Sequence, residues 1–324
     1  IAQLDQGIES IFQSKRWKLG HKVSALSRKI RFKPPLPNPQ NFFNDILARF
    51  STWRVDVGRR SKSSIVAAPA PLVQIKRFET LDLQKQPNPV VSIIIPVHNQ
   101  WEYTLACLKA IAEHPQQTPY EVIIADDVST DETQELTRYV KNVVWVRNST
   151  NLGFTLNCNN AARHAKGEYL LFLNNDTTVQ SEWLDAMLEP MRNDDNVGLV
   201  GAKLVYPDGK LQEAGGIVWN DASGRNYGKQ ENPEDPEYNY LKEVDYCSGA
   251  CILLRTSLWR TLGGFDPRFA PAYYEDTDLA FRVRQLGYKV VYQPRAVVVH
   301  FEGGSHGKSE QEGIKSYQVK NKEK

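Results

Sequence analysis

Between residues 90 and 192, apolar runs too short for helices alternate with segments of helical spacing. That alternation limits the fold of this chain more than any other feature. The runs are VVSIIIP (90–96), EVIIAD (121–126), VVWV (143–146) and YLLFL (169–173). Continuous apolar runs of this length read as strands buried on both faces, as in a parallel sheet. The spacing predicts helices over 101–113, with Leu105, Leu108 and Ile111 on one face, and over 155–165 and 182–192. Ser129 with Glu132 fits a capping box for one further helix, and Ser181 is placed to open the helix at 182. Buried strands alternating with helices predict a doubly wound, parallel sheet.

Beyond residue 192 the alternation fails. Strands are predicted at 198–206, 250–254, 289–292 and 296–300, and helices at 256–262 and 276–286. Pro207-Asp208-Gly209 reads as a hairpin turn. Residues 221–240, with Gly224, Gly228, Pro233 and Pro236, read as a long loop of the kind that forms lids or acceptor-side elements.

Charge divides the chain in two. Residues 1–88 hold 16 Lys and Arg against 6 Asp and Glu, a net of +10, and the remainder holds 24 against 32, a net of −8. A basic leading segment predicts an anionic partner surface, membrane or nucleic acid. Within it, Ile8, Ile11, Phe12, Leu19, Val23, Leu26 and Ile30 lie at near-helical spacing among lysines and arginines, with Trp17 as an interface anchor. A helix packed on a neighbouring domain fits the same pattern. RFKPPLPNPQ (31–40) breaks that helix, and a basic connector continues to residue 88. The expected division is therefore a basic helical and linker segment over 1–88 and a single domain over 89–324. No run reaches membrane-spanning length and no secretory leader is legible. The chain does not begin with Met, and a piece of a longer chain is one expectation. The four cysteines, Cys107, Cys158, Cys247 and Cys251, form no CxxC pair and read as buried free thiols.

Four polar clusters end apolar runs: Pro96-Val97-His98-Asn99, Asp126-Asp127, Asn174-Asn175-Asp176 and Val299-His300. Open α/β sheets bind ligands beyond the carboxyl ends of their strands, so these clusters are the candidate site. Asp176 offers a hard oxygen suited to Mg²⁺ or Mn²⁺ shared with a phosphate, although NNDT by itself also reads as a polar turn. One carboxylate of the Asp126-Asp127 pair is expected to accept from a nucleobase N–H, and the other to hold a turn or helix end. Asp126 is assigned the base and Asp127 the local role. Neither a GxGxxG fingerprint nor a Walker A motif is present, since Gly307-Lys308-Ser309 has Glu302 where the motif needs glycine. Phosphates must then be held by a metal or by isolated basic groups.

VSIIIPVHN, IIADDVSTDET, NLGF, LLFLNNDT, GGFD, YYEDTDLAFR and VVHFEGGS, in this order and spacing over residues 90–307, resemble the successive motifs of a family 2 glycosyltransferase with the GT-A fold. The similarity is greatest to bacterial members that build O-antigen, capsule or other surface polysaccharides, often as one domain among several transferase domains. The SKRWKLGHKVSAL segment resembles the basic stretch that precedes such domains. The resemblance implies a Rossmann-like, mostly parallel central sheet with a mixed C-terminal part. It also implies a nucleoside diphosphate sugar donor, UDP or dTDP rather than GDP, and inverting transfer to a glycan or lipid-linked acceptor. Nucleic acid is thereby set aside as a partner. By the same resemblance, Pro96, His98 and Asp126 lie around base and ribose, with Asn99 and Asp127 beside them. Asn151 and Gly153 form the loop near the nucleotide. Asn174 stands where many members have the first Asp of Asp-x-Asp, with Asn175 next to it. Asp176 and His300 hold Mn²⁺ or Mg²⁺. Gly249, Phe265 and Asp266 lie near sugar and acceptor. Asp276 is the general base and Glu275 orients the acceptor. A cytoplasmic position, peripheral at the inner face of the membrane through residues 1–40, is expected. Two rival readings are a nucleotidyltransferase, disfavoured because PVHNQWEY has no basic residue, and a non-catalytic sugar-binding module, to which Asn174 lends weight.

Three acids, Glu275, Asp276 and Asp278, crowd one predicted helix start whose apolar face is Leu279, Val283 and Leu286. Asp276 is expected at the cap, and mutual repulsion is expected to raise at least one pKa.

Overall fold

The structure is a computed structural model and describes residues 80–83, 87–302 and 316–323, all within a compact unit spanning residues 67–324. The expected basic helix at 8–30, the proline-rich stretch and the end of the VVHFEGGS motif lie outside the described residues.

In chain order the elements are β1 (Val91–Val97), α1 (Trp101–Glu113), β2 (Tyr120–Asp126), β3 (Val144–Arg147), α2 (Gly153–Ala161), β4 (Tyr169–Leu173), β5 (Thr177–Val179) and α3 (Trp183–Asn193). There follow β6 (Val197–Val205), β7 (Leu211–Glu213), β8 (Gly216–Val218), β9 (Gly224–Asn226), β10 (Lys242–Glu243), β11 (Cys251–Arg255), α4 (Thr256–Leu262), α5 (Glu275–Gln285), β12 (Lys289–His300) and α6 (Tyr317–Lys322). The main sheet has the order β10-β12-β6-β11-β4-β1-β2-β3, with β5 on β12 and β7 on β6. β1 pairs in parallel with β2 and β4, and β2 with β3. β11 is antiparallel to both of its neighbours, β4 and β6, while β12 runs parallel to β6. Two reversals cancel, so β1, β2, β4, β6 and β12 all end on one edge.

The apolar runs are buried as expected. Every residue of β1, β4 and β6 is buried, and Leu105, Leu108 and Ile111 anchor α1. Each such side chain taken from water contributes about 1.5–3 kcal/mol. The four cysteines are buried free thiols. Leu83 is also part of this core, so the connector joins the domain before residue 89. Among the described residues no helix is long and apolar enough to cross a membrane.

Local details differ where tertiary contacts replace the expected caps. Ser129 does not cap a helix. Its hydroxyl accepts from Asn99 N–H at 2.8 Å, and Asp131 caps the short 3₁₀ turn at 132–135 through Thr133 N–H at 3.0 Å. Ser181 does not cap α3 either, because Glu182 takes the cap position in the left-handed region. Gln116 Oε1, from the loop after α1, accepts from the first amides of that helix, Leu184 at 3.2 Å and Asp185 at 3.4 Å. The two strands expected at 289–292 and 296–300 are one, β12, whose register shifts between Gln293 and Val297 around Pro294, a residue with no N–H for the ladder. Leu286 ends α5 49% exposed rather than extending its apolar face.

The long loop is pinned, not free. Within it Gly224–Asn226 pairs back on Gly216–Val218. Lys203 of β6, 2% exposed, donates to Pro233 O at 3.1 Å and Asn239 Oδ1 at 2.6 Å. Burial lowers the pKa of this lysine to about 8.

Candidate active site

The clusters converge on the shared edge, as the sequence predicts. Val97 and Asp126 are paired neighbours, Asp127 N–H donates to Val97 O at 2.8 Å, and Asn148 N–H to Asp126 O at 2.9 Å. Pro96 is buried within β1, which leaves His98 as the exposed residue of its motif. His98 Nδ1 lies 2.7 Å from Asp127 O and so donates to it. Asn99, in the left-handed region, accepts from Thr130 N–H at 2.7 Å and Asp131 N–H at 3.3 Å, so its side chain shapes the 129–131 loop.

Asp127 holds the NLGF loop. Its carboxylate accepts from Leu152 N–H and Gly153 N–H, each at 2.8 Å, and from Asn148 Nδ2 at 2.8 Å. This is the helix-end role expected of it. Asn151 adds an acceptor for Gly153 N–H at 3.1 Å. Gly153 has φ +74°, and a Cβ there would stand 2.5 Å from Pro271 Cβ, so a side chain is excluded twice over. Asp126 is 3% exposed; it accepts from Ser129 N–H at 2.8 Å and forms an ion pair with Arg147, a partner the strand pattern does not reveal.

The second half of the edge carries the candidate metal ligands. Asp176 and His300 are brought together by β4 and β12: Phe301 N–H donates to Asp176 O at 2.9 Å, and His300 Nε2 lies 3.3 Å from Asp176 Oδ1. Burial alone would depress the imidazole pKa. The charge and hydrogen bond of Asp176, with Glu302 and Glu213 behind it, outweigh burial and hold the ring above its usual range. Asn174 Oδ1 is buried with no hydrogen-bond partner, an unspent neutral oxygen two residues from Asp176. A nitrogen and a carboxylate oxygen at one point, with this spare oxygen nearby, fit an ion whose remaining positions are filled by phosphate oxygens. Among the described residues no group of three or more His, Cys, Asp or Glu is arranged to hold a metal ion, so Asp176 and His300 would have to be joined by oxygens from other sources. Asn175 points elsewhere, donating to Thr104 Oγ1 at 3.1 Å and locking the loop to α1.

Asp276 faces the same edge through a short chain of backbone contacts. Asn174 N–H donates to Ala250 O at 2.9 Å, and Gly249 N–H donates to Asp276 Oδ2 at 2.8 Å. Tyr274, not Asp276, occupies the cap of α5, and Tyr273 and Tyr274 both have positive φ, 76° and 72°. Two consecutive non-glycine residues in the left-handed region are the strained backbone that functional sites collect. Glu275 is buried at 5% exposure with Oε2 unpartnered, whereas Asp276 is half-buried. All three acids have raised pKa values, but burial is the first cause in each and repulsion comes second at most. For Glu275, burial is followed by the charge of Asp276. Asp278 is paired with Arg282 at 2.6 Å, which removes it from the cluster. Tyr273 lies among these groups: burial, then Glu275, Glu302, Asp176 and Asp276, push its hydroxyl up to about 12.

Phe265 and Asp266 both have structural partners. Phe265 is fully buried between Phe172 and Trp259, with ring centroids at 5.2 and 5.0 Å. Asp266 caps the 267–269 turn through Arg268 N–H at 2.9 Å and pairs with the Arg268 guanidinium at 2.6 Å.

Two site residues escaped the sequence reading. Gln212 and Glu213 are 3% and 1% exposed in β7. Gln212 Oε1 lies 3.2 Å from His300 Nδ1, and Glu213 Oε1 accepts from Ser248 N–H at 2.8 Å. Burial raises the Glu213 pKa to about 8. The available signal was two polar residues in LQEAGG, between Leu211 and Ala214, both of which are buried.

A mostly parallel α/β sheet thus gathers acids and a histidine at the carboxyl edge of its strands, where open sheets of this class bind ligands. Residues 92–262, just over half of the chain, match the sequence model of glycosyl transferase family 2, and the chain belongs to that family. It is 29% identical over 260 residues to the O-antigen biosynthesis protein RfbC of Myxococcus xanthus, covering 77% of this chain and 20% of that one. It is 27% identical over 247 residues to the N-acetylglucosaminyl-diphospho-decaprenol L-rhamnosyltransferase of Mycobacterium tuberculosis, covering 68% of this chain and 78% of that one. The chain thus spans about a fifth of the length of the first of these relatives. In fold it is similar to GalNAc-T7, solved with UDP, GalNAc and Mn²⁺, with a TM-score of 0.55 and 16% identity over 65% of this chain and 43% of that one.

Proposed function

We propose that this domain transfers a sugar, with inversion, from a nucleoside diphosphate sugar of the UDP or dTDP type to a hydroxyl of a glycan or lipid-linked acceptor in surface-polysaccharide synthesis. The observation that carries this reading is the joining of the two halves of the site. Asp176 and His300 stand 3.3 Å apart, and the loop bearing Asp176 is bonded to the loop on which Asp276 rests. The names of two relatives, one in O-antigen biosynthesis and one acting on a decaprenol-linked sugar, support the acceptor class.

In this reading the nucleotide lies along the edge of β1 and β2, with His98, Asp126 and the Asn151 loop around base and ribose. A divalent ion held by Asp176 and His300, with Asn174 Oδ1 within the same loop, would supply electrostatic stabilisation to the departing diphosphate. Asp276 takes the proton of the acceptor hydroxyl as it attacks the sugar from the face opposite the diphosphate. A single displacement inverts the anomeric centre, and no covalent enzyme nucleophile is needed. The half-burial of Asp276, against the burial of Glu275, favours Asp276 as base. Glu275 lies buried beside it, its carboxyl held well above the usual range by burial and then by the charge of Asp276.

The acceptor is assigned to the side walled by the β8–β9 hairpin. Tyr274 Oη, beside the acid cluster, donates to Ala222 O at 3.2 Å in the turn of that hairpin, and Trp219 in the same turn is 54% exposed. Further transferase domains of a longer chain and peripheral contact of residues 1–40 with the inner face of the membrane complete the proposed setting. The test is a panel of sugar nucleotides with Mn²⁺ or Mg²⁺, scored for thermal stabilisation and diphosphate release with chemically defined lipid-linked acceptors. Donor binding without turnover on any acceptor would favour a non-catalytic module instead.

A further inference from the structure

We propose that Gln212 is a positioning residue for His300: its amide oxygen holds the proton on Nδ1, so that Nε2 is the ring nitrogen left to meet a cation beside Asp176. The inference rests on the reading of Asp176 and His300 as the metal-holding pair. His300 has an oxygen at each nitrogen, Gln212 Oε1 at 3.2 Å from Nδ1 and Asp176 Oδ1 at 3.3 Å from Nε2. An imidazole that binds a cation through one nitrogen must keep its proton on the other. A partner that accepts that proton fixes the ring plane and raises the basicity of the ligating nitrogen. Gln212 is 3% exposed and His300 8%, so water is a poor substitute for the amide oxygen.

The backbone shows how Gln212 comes to face the ring. In the pairing of β7 with β6, Glu213 lies opposite Leu204 and Leu211 opposite Val205, so the register shift leaves Gln212 as the extra residue. A bulged residue is unpaired in the ladder and its side chain is re-aimed, a device found beside active sites. In a regular strand, Gln212 would sit opposite a β6 residue and take its place in the pleat. Here it is delivered to the end of β12, where His300 stands.

The test uses the full chain with UDP present and reads Mn²⁺ binding from the electron paramagnetic resonance signal of the free ion. Gln212→Met keeps the shape and removes the acceptor; Mn²⁺ affinity is expected to fall about 10–100-fold. Gln212→Glu restores an acceptor and is expected to bind Mn²⁺ at least as tightly as wild type. Unchanged affinity in Gln212→Met, or a loss in folded Gln212→Glu equal to that in Gln212→Met, overturns the inference. A second readout needs no metal. With ring ¹⁵N labels, the metal-free wild type should show a hydrogen-bonded Nδ1–H resonance for His300, and Gln212→Met should lose it. Its absence in wild type or its persistence in Gln212→Met likewise overturns the inference. If the wild type binds no Mn²⁺, or His300→Ala binds it as well as wild type, the metal reading fails separately while the resonance still decides the role of Gln212.

Discussion

Asp276 is held by its neighbours in a way that alters what its removal should do. Oδ2 accepts from Gly249 N–H at 2.8 Å and Oδ1 from Thr277 N–H at 2.7 Å. Asp276→Asn keeps the volume but offers one acceptor where two are used, so a stability loss of about 1 kcal/mol is expected. Turnover should fall on the order of 10²–10⁴ with donor affinity retained. Near-normal turnover, with a dead Glu275→Gln, would move the role to Glu275. Glu213 gives a prediction with a defined sign. Its carboxyl is raised from 4.5 to about 8 by burial, with Asp276, His300 and Glu302 facing it. The unfolded chain releases this proton near pH 4.5, while the folded chain holds it to about pH 8. Its contribution to stability is therefore fully present below pH 4.5 and is lost as pH rises through the window to about 8, at roughly 1.4 kcal/mol per unit. Glu213→Gln should be the more stable protein at pH 8, and the advantage should shrink toward pH 5 in denaturant titrations. A difference independent of pH would refute the assignment.

Elements show where local signals suffice and where they do not. The strands and most helices are legible because burial imposes its period on the residues, as in β4 and in the Leu105, Leu108 and Ile111 face of α1. Helix starts are less so: the first-turn amides of α3 are met by Gln116 from another segment, and α5 begins after two tyrosines that no propensity places in the left-handed region. The β8–β9 hairpin was not legible, β8 lying just before the polar loop and β9 inside it, because its three-residue strands are too short to carry a period. If its turn forms the acceptor wall, Trp219→Ala should raise the acceptor KM about tenfold while leaving donor affinity unchanged. Equal losses for donor and acceptor would indicate a general structural defect.

At the scale of the whole molecule, the charge asymmetry is the feature that most needs a partner. Residues 1–88 carry a net +10 and the remainder a net −8 within one chain. The full chain should bind vesicles containing anionic lipid at low salt and release them as salt rises, and a chain lacking residues 1–79 should not bind. Binding that survives deletion, or none at low salt, would remove the membrane reading and favour docking onto another domain. The family, by contrast, was legible from motif order alone, because polar residues after buried strands have few structural reasons to recur in that sequence.

The sequence by itself determined the buried strands, the parallel first half and the identity of the strand-end clusters, since these follow from periodicity and from the carboxyl-edge rule for open sheets. Only the tertiary structure decided which members of those clusters face the cleft. Phe265, in GGFD, is sealed in the core and Asp266 closes its own turn. Conversely, β7 brings Gln212 and Glu213 into the site from a segment with no motif. The physical reason is distance along the chain: His300 and Gln212 are 88 residues apart, and Gly249 and Asp276 are 27. Local pattern specifies an element, but the sheet register decides which side chains from separate elements meet.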